Sequence, residues 1–274
     1  MEKKNVGFIF VILVYRNVED ILELLESIKA QVLDSKVIIV NNYYDETTQK
    51  QFEKIAAEHQ CDFINCENRG YGAGNNAGIR FALEKYEFEY LIISNPDIVI
   101  KNFPVEEIRQ YPEGVYGCEI DNLAHKNQNP MLAKNCRFAS KMLYKGIKEK
   151  LSFCLLAGKA INKLQRDWSR FLLNRKKKEN RKVYQIHGSF LIFSGSVIQE
   201  IEAPYDEEMF LFAEEGYLAY LLNKKGISSY YCPEIKVLHK EDGSMKFRND
   251  IDEECVKSNL YFFEKYYFNN EEKN

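Results

Sequence analysis

Two acidic segments and one glycine-rich segment carry the residue types that could do chemistry in this chain. Ile92-Ile93-Ser94-Asn95-Pro96-Asp97 places a carboxylate just past an apolar run, on a turn that Pro96 stiffens. A magnesium or manganese ion held through one or two carboxylates and a substrate's phosphates needs such a placement, although a solvated turn aspartate fits the same residues. Phe210-Leu211-Phe212-Ala213-Glu214-Glu215 sets two carboxylates behind aromatic rings, at the start of a helix bearing Leu218, Leu221 and Leu222. A glutamate beside rings is partly desolvated, which raises its pKa and makes it a better proton acceptor near neutral pH. Acids in a first helical turn also complement the helix dipole, so this segment alone leaves both readings open.

Asn68-Arg69-Gly70-Tyr71-Gly72-Ala73-Gly74-Asn75-Asn76 leads into a helix read over about 75–86. Its glycines permit close backbone approach, and a helix amino end offers free N–H groups to an anion; a plain Gly-rich turn with an Asn cap fits as well. With Asp97 downstream the pattern imitates a dinucleotide fingerprint, but the third glycine position is Asn75 and the loop follows the third strand instead of opening the first βαβ unit. His239 ends the strand Ile235 to Leu238, where a histidine can meet a metal or diphosphate, and Lys240-Glu241-Asp242-Gly243-Ser244 follows. His59, His125 and His187 show no metal spacing, and the seven cysteines contain no CxxC pair, so neither a zinc site nor a disulfide framework is expected.

These segments must be positioned by the elements around them. Val6 to Val14 is apolar and rich in β-branched residues, as in a strand buried on both faces. Asn17 can cap a helix with Glu19 and Asp20 in its first turn and Val18, Ile21, Leu22, Leu25, Ile28 and Val32 at helical spacing. A strand over Lys36 to Val40, a helix over about 46–58, a strand over about 61–65 and the strand Tyr90 to Ser94 continue a strict alternation. Alternation predicts an α/β fold with a mostly parallel central sheet flanked by helices, in which ligands bind beyond the carboxyl ends of the strands. The second half is less regular, with strands near 115–120, 183–194, 227–232 and 235–239 and helices near 148–176, 213–225 and 251–268. No linker interrupts it, so 1–274 is read as a single domain.

The net charge of -3 shows no overall affinity for polyanions, and no nucleic-acid partner is expected. Charge is nonetheless segregated: residues 131–182 hold 16 Lys or Arg against three acids, a local +13 that leaves -16 elsewhere. At about 100° per residue Lys159, Lys163, Arg166 and Arg170 share one helical face and Leu151, Cys154, Leu155, Ile161, Trp168 and Leu172 fill another. An interfacial membrane helix, the favoured reading, fits this pattern, as do a solvated basic face over a core stripe and, third, a nucleic-acid-binding face. No run approaches the ~20 apolar residues of a membrane span, and the short apolar start lacks a small-residue cleavage site. The expected location is cytoplasmic, peripheral on the inner face of the cell membrane.

In chain order, the strand into Tyr15-Arg16-Asn17, Val40-Asn41-Asn42, Asn68-x-Gly70-x-Gly72-x-Gly74-Asn75-Asn76-x-Gly78, Asn95-Pro96-Asp97, His187-Gly188-Ser189, Phe210 to Glu215 and His239 resemble glycosyltransferase family 2. The nearest likeness is to its bacterial rhamnosyltransferase-like and capsular polysaccharide branches, and it covers 6–105 and 183–245. The resemblance implies a GT-A nucleotide-diphospho-sugar transferase fold, with a nucleotide-sugar-binding half over 1–105. An acceptor half would span 106–245 with the basic insertion 131–182, and a C-terminal helix would occupy 246–274. It implies an inverting transferase that moves a sugar from a UDP- or dTDP-sugar to an acceptor hydroxyl, on a lipid-linked saccharide of cell-surface polysaccharide synthesis. Such an acceptor is why the membrane is favoured for 131–182, since it would bring an anionic surface and a diphosphate together. Tyr15 and the Asn41-Asn42 turn would cradle the base, and Asn17, Asn68, Gly70, Gly72, Asn75, Asn76 and Asn95 would complete the donor site. Asp97, with His239, would hold a divalent metal (Mg2+ or Mn2+), and Glu215 would be the base ahead of Glu214. Two departures stand out: Asn41 replaces the usual base-binding aspartate, and Glu215 stands where many members have an aspartate. An NAD-dependent dehydrogenase and a non-catalytic peripheral membrane module are the competing readings.

Overall fold

The structure, a computed structural model, describes residues 3–241 and 251–269. Its first half runs β1 (Lys4–Val14), α1 (Glu19–Gln31), β2 (Ser35–Asn42), α2 (Glu46–Glu58), β3 (Asp62–Cys66), α3 (Tyr71–Lys85), β4 (Tyr86–Ser94) and β5 (Ile98–Asn102). A short α4 (Val105–Ile108) and β6 (Val115–Asn122) lead to the helical pair α5 (Arg137–Lys148) and α6 (Ser152–Leu173). Then come β7 (Lys182–Val183), β8 (Phe190–Ser194), α7 (Gly195–Ile201), α8 (Glu214–Lys225), β9 (Ser229–His239) and α9 (Ile251–Phe262), the last followed by a π-helical turn, Phe263–Tyr267.

One sheet holds the strands in the order β3-β2-β1-β4-β8-β6-β9-β5, with β7 also on β9. The pairings β3-β2, β2-β1 and β1-β4 are parallel, as alternation predicts. Beyond β4 the sheet is mixed, because β8 runs antiparallel to both β4 and β6, β6 and β9 are parallel, and β5 is antiparallel to β9. Successive side chains of β1 go to opposite faces. Phe8, Phe10, Ile12 and Val14 join Ile21, Leu24 and Ile28 of α1 in one core, while Ile9, Val11 and Leu13 join Ile79 and Ala82 of α3 in another. The continuous apolar run is therefore explained by two buried faces.

Several boundaries differ from the sequence reading. Val18, not Asn17, occupies the cap position of α1, while the Asn17 side chain accepts a 3.3 Å hydrogen bond from the Glu19 N–H and donates through Nδ2 to the Asp20 carboxylate. The strand expected over 183–194 is broken into β7 and β8, and the intervening loop carries His187-Gly188-Ser189 into the interior. The two strands read at 227–232 and 235–239 are one strand, β9, with its register against β6 shifted between Cys232 and Lys236. Pro233 lies in that shift, where a missing N–H is tolerated. The helix read over 148–176 is α6 alone, preceded by the unforeseen α5. No helix among the described residues is long and apolar enough to cross a membrane, and the cysteines there are free thiols.

Candidate active site

β4 ends at Ser94, and Asn95-Pro96-Asp97 turns directly into β5, whose first residue Ile98 pairs with His239, the last residue of β9. That register sets the Asp97 and His239 side chains together, both nearly buried, with Oδ2 and Nε2 3.4 Å apart. The Gln128 amide fixes the imidazole: its Nε2 donates to Glu241 (2.7 Å), so its Oε1 accepts from His239 Nδ1 (2.9 Å). Nε2 is thereby turned toward the carboxylate, and a proton or a cation must lie between the two lone pairs. A carboxylate oxygen plus an imidazole nitrogen fits a Mg2+ or Mn2+ whose remaining ligands come from a diphosphate and water. No group of three or more His, Cys, Asp or Glu side chains placed to bind a metal occurs among the described residues.

The loop before β8 lies alongside. The Asn95 N–H donates to the Ser189 carbonyl (2.8 Å), and the Tyr71 hydroxyl lies 3.1 Å from Asn95 Oδ1 and 3.0 Å from the Gly188 carbonyl. Burial pushes the Tyr71 phenol far up, so it stays neutral. His187 is 2.9 Å from Ser189 Oγ through Nδ1, and burial lowers its pKa toward the neutral imidazole.

Across the cleft Phe212 and Ala213 both adopt left-handed backbone, at φ 72° and 66°, immediately before α8. Such conformations cost about 1–2 kcal/mol per non-glycine residue and here aim the first helical turn inward. Glu214 is 5% exposed and its Oε1 has no hydrogen-bond partner. Burial, reinforced by the charge of Glu215, pushes its carboxyl up to about 8, so it is protonated at neutral pH. Glu215 is half-buried and accepts a 3.2 Å hydrogen bond from the Gly188 N–H.

These parts line one cleft of about 930 Å3 together with Tyr15, Asn17, Asn42, Asn68, Gly70 and Asn95. A second cleft of about 730 Å3 shares Gln128, Met131, His187, Phe212 and Glu215 with the first. Arg16, within the Tyr15-Arg16-Asn17 segment singled out past β1 but given no role of its own there, lines the first cleft. Its guanidinium lies 4.0 Å from the Tyr44 ring centroid and 5.1 Å from that of Tyr15, an arrangement visible only once β1 and β2 are neighbours. Tyr71 and Phe210, inside segments singled out from the sequence, also line it, whereas Gln128 was unforeseen.

Four expected donor residues do not line this cleft: Asn41, Gly72, Asn75 and Asn76. The Asn41 Nδ2 donates to Asn65 Oδ1 (2.7 Å), Asn75 to the Tyr71 carbonyl (3.0 Å) and Asn76 to the Tyr205 carbonyl (2.9 Å). The segment expected as an anion-binding loop is mostly the first turns of α3, and protein occupies its glycine gaps. A Cβ on Gly70 (φ 103°) would fall 2.2 Å from the Phe210 carbonyl oxygen, and one on Gly74 would fall 2.4 Å from Leu13 Cδ1. The Tyr71 N–H is also spent on the Phe210 carbonyl (2.8 Å). These glycines seat α3 against β1 and the 205–210 segment.

A family model described as glycosyl transferase family 2 matches residues 9–198. The chain belongs to that family. A curated relative, the low-salt glycan biosynthesis hexosyltransferase Agl10 of Haloferax volcanii, is 22% identical over 233 residues; the match covers 84% of this chain and 66% of Agl10, just under two thirds. Among solved structures the fold resembles GalNAc-T7 with UDP, GalNAc and Mn2+ (TM-score 0.60, 10% identity), covering 87% of this chain and 44% of that one. It also resembles the mannosyltransferase PcManGT from Pyrobaculum calidifontis with GDP-Man and Mn2+ (TM-score 0.52, 12% identity), covering 94% and 70%. At these identities the likeness is one of fold, and this family member has the α/β GT-A architecture expected from its sequence.

Proposed function

We propose that this family member is an inverting glycosyltransferase that moves a sugar from a UDP- or dTDP-sugar to a hydroxyl of a lipid-linked saccharide. The observation that carries this reading is the convergence in one cleft of the Asp97–His239 pair on one side and a half-buried Glu215 on the other. In transfer with inversion the leaving diphosphate gains negative charge while the incoming hydroxyl loses a proton on the opposite face of the sugar. A divalent ion held by Asp97 and His239 would supply charge neutralisation on the leaving side. Glu215 takes the acceptor proton. Glu214, holding its own proton, cannot accept another.

For the base, the Asn42 amide is held inside the wall, with its Nδ2 donating to the Gly70 carbonyl (3.1 Å) and its Oδ1 against Gly74, so the base is read from Tyr15, Arg16 and Tyr44, whose flat faces suit stacking. The dehydrogenase alternative loses its basis, because the glycines that imitated a dinucleotide fingerprint are filled by protein.

The membrane reading gains from α6. Its outward face exposes Phe153, Leu156, Leu164, Trp168 and Phe171, spaced by one turn or two along the helix, with Arg175, Lys176 and Lys177 at its end. Trp168 and Leu172, read from sequence as filling the stripe opposite the basic face, are 71% and 40% exposed, and Arg170 turns inward to the Asn127 (2.8 Å) and Asn129 (3.0 Å) carbonyls. An apolar face rimmed by cations suits an anionic lipid surface, in keeping with a role in cell-surface or capsular polysaccharide synthesis.

The test is single-turnover transfer at saturating donor. Glu215→Gln should lose ~10²–10⁴-fold in rate with metal-dependent nucleotide binding unchanged, and Glu214→Gln should lose far less. Full activity in Glu215→Gln would refute the assignment of the base.

A further inference from the structure

The second cleft has a charge pattern that proton abstraction does not explain. Its wall is formed by the inward basic face of α6, where Lys159, Lys163 and Arg166 follow one another at helical spacing, and Lys126 stands on a neighbouring loop. Neither Lys126, Lys159 nor Lys163 has an ion-pair partner among the described residues; Arg166 meets only the adjacent Asp167, at 3.4 Å. Among the described residues the one acid lining this cleft is Glu215, which opens into the first cleft as well. The Asn162 Oδ1, also on this wall, is buried without a partner. Four cations against one carboxylate leave an excess that one acidic sugar would not neutralise, whereas a diphosphate carries two to three negative charges. Lys159 and Lys163 lie one turn apart, ~6 Å along the helix axis, close enough to share one such group.

We infer that Lys159, Lys163, Arg166 and Lys126 form a phosphate-binding subsite for the acceptor, which holds a diphosphate beside Glu215 so that the sugar attached to it reaches the base. This rests on the assignment of Glu215 to the acceptor side and adds the acceptor's chemical class: a saccharide joined to its carrier through a phosphate or diphosphate. The donor's diphosphate belongs at the other end, with Asp97 and His239. Two anions are thus kept apart by the sugar being transferred.

The probe is geranyl diphosphate, a water-soluble prenyl diphosphate, titrated calorimetrically in metal-free buffer so that the donor end lacks its ion. It should bind the wild-type chain, and Lys159→Gln/Lys163→Gln should weaken it ~10-fold or more through two lost charge-assisted contacts. The same charge change on α2, Lys50→Gln/Lys54→Gln, should leave it within about twofold, since exposed distant charges are screened. Inorganic pyrophosphate binding as tightly as geranyl diphosphate would identify the free anion as sufficient, and weaker binding would identify the lipid-linked headgroup; both support the subsite. Equal binding of geraniol, equal loss in the α2 variant, or no loss in Lys159→Gln/Lys163→Gln would overturn it. UDP and dTDP binding with Mn2+, measured on the same proteins, should be alike in wild type and the α6 variant. If neither nucleotide binds wild type, the donor reading falls while the prenyl diphosphate titration still decides this subsite.

Discussion

Replacing Glu214 by Gln should change how stability depends on pH. The unfolded carboxyl loses its proton near 4.5, whereas the folded one keeps it up to about 8 because it is buried next to Glu215. Between those values folding must take up a proton, so stability is greatest below the unfolded pKa and falls as pH rises toward the folded one. Each unit is worth 1.36 kcal/mol, so the whole interval amounts to ~5 kcal/mol and the range from pH 5 to 8 to ~4 kcal/mol. Glutamine has nearly the shape of the protonated acid and does not titrate. The stability of Glu214→Gln relative to wild type should therefore improve by ~1.4 kcal/mol per unit across that range. Urea unfolding of both proteins at pH 5, 6, 7 and 8 in metal-free buffer measures the difference, with contributions from other groups cancelling. Parallel stability curves would refute the claim that Glu214 is buried as a neutral acid, and with it the reason for giving the proton to Glu215.

Asp97→Ala should abolish metal-dependent nucleotide binding and turnover with little change in unfolding midpoint, because the carboxylate faces the cleft; thermal shift with UDP, dTDP, GDP and NAD, with and without Mn2+, reads this, and undiminished metal-stimulated binding would remove Asp97 from the metal site. Trp168→Ser/Phe171→Ser and Lys176→Glu/Lys177→Glu should each release the chain from anionic liposomes in sedimentation, the charge variant resembling wild type at high salt; Lys178 is spared because Glu107 already pairs with it. Gly70→Ala should cost on the order of 2–3 kcal/mol of stability, since it combines a left-handed backbone with overlap on the Phe210 carbonyl. A loss below about 0.5 kcal/mol in denaturant unfolding would show that the 205–210 segment yields freely.

The parallel half of the sheet was legible because Val6 to Val14 and Tyr90 to Ser94 are buried on both faces and so announce themselves as continuous apolar runs. β5 was missed because only Ile98, Val99 and Ile100 are buried, and the sequence around them resembles the tail of a turn. Asp97, His239 and Glu215, singled out at strand and helix ends, do line one cleft, which is where local sequence does speak. Arg16 and the basic face of Lys159 and Lys163 were legible as such, but what each faces was not, because that depends on chain segments distant in sequence. The glycines misled for the same reason: a close-approach residue looks identical whether its neighbour is a phosphate or, as at Gly70, another backbone. Residues 242–244, expected after His239, lie outside the described residues.

The pairing of Ile98 with His239 has a consequence for how the enzyme comes into being. During synthesis Asp97 leaves the ribosome long before His239 exists, and β5 has β9 as its neighbour in the sheet. A nascent chain ending ahead of Ser229 therefore has β1 to β4 and can lay β5 against α1, but it lacks the strand that pairs with β5 and lacks His239. The Asp97–His239 pair joins one of the most distant contacts in the chain, of the kind whose closure is slow. Under the proposed assignment of Asp97 and His239 to a divalent ion, a species able to hold a metal–nucleotide complex would already have its last strand in place, so the order of assembly alone would keep a sugar nucleotide from an incomplete molecule.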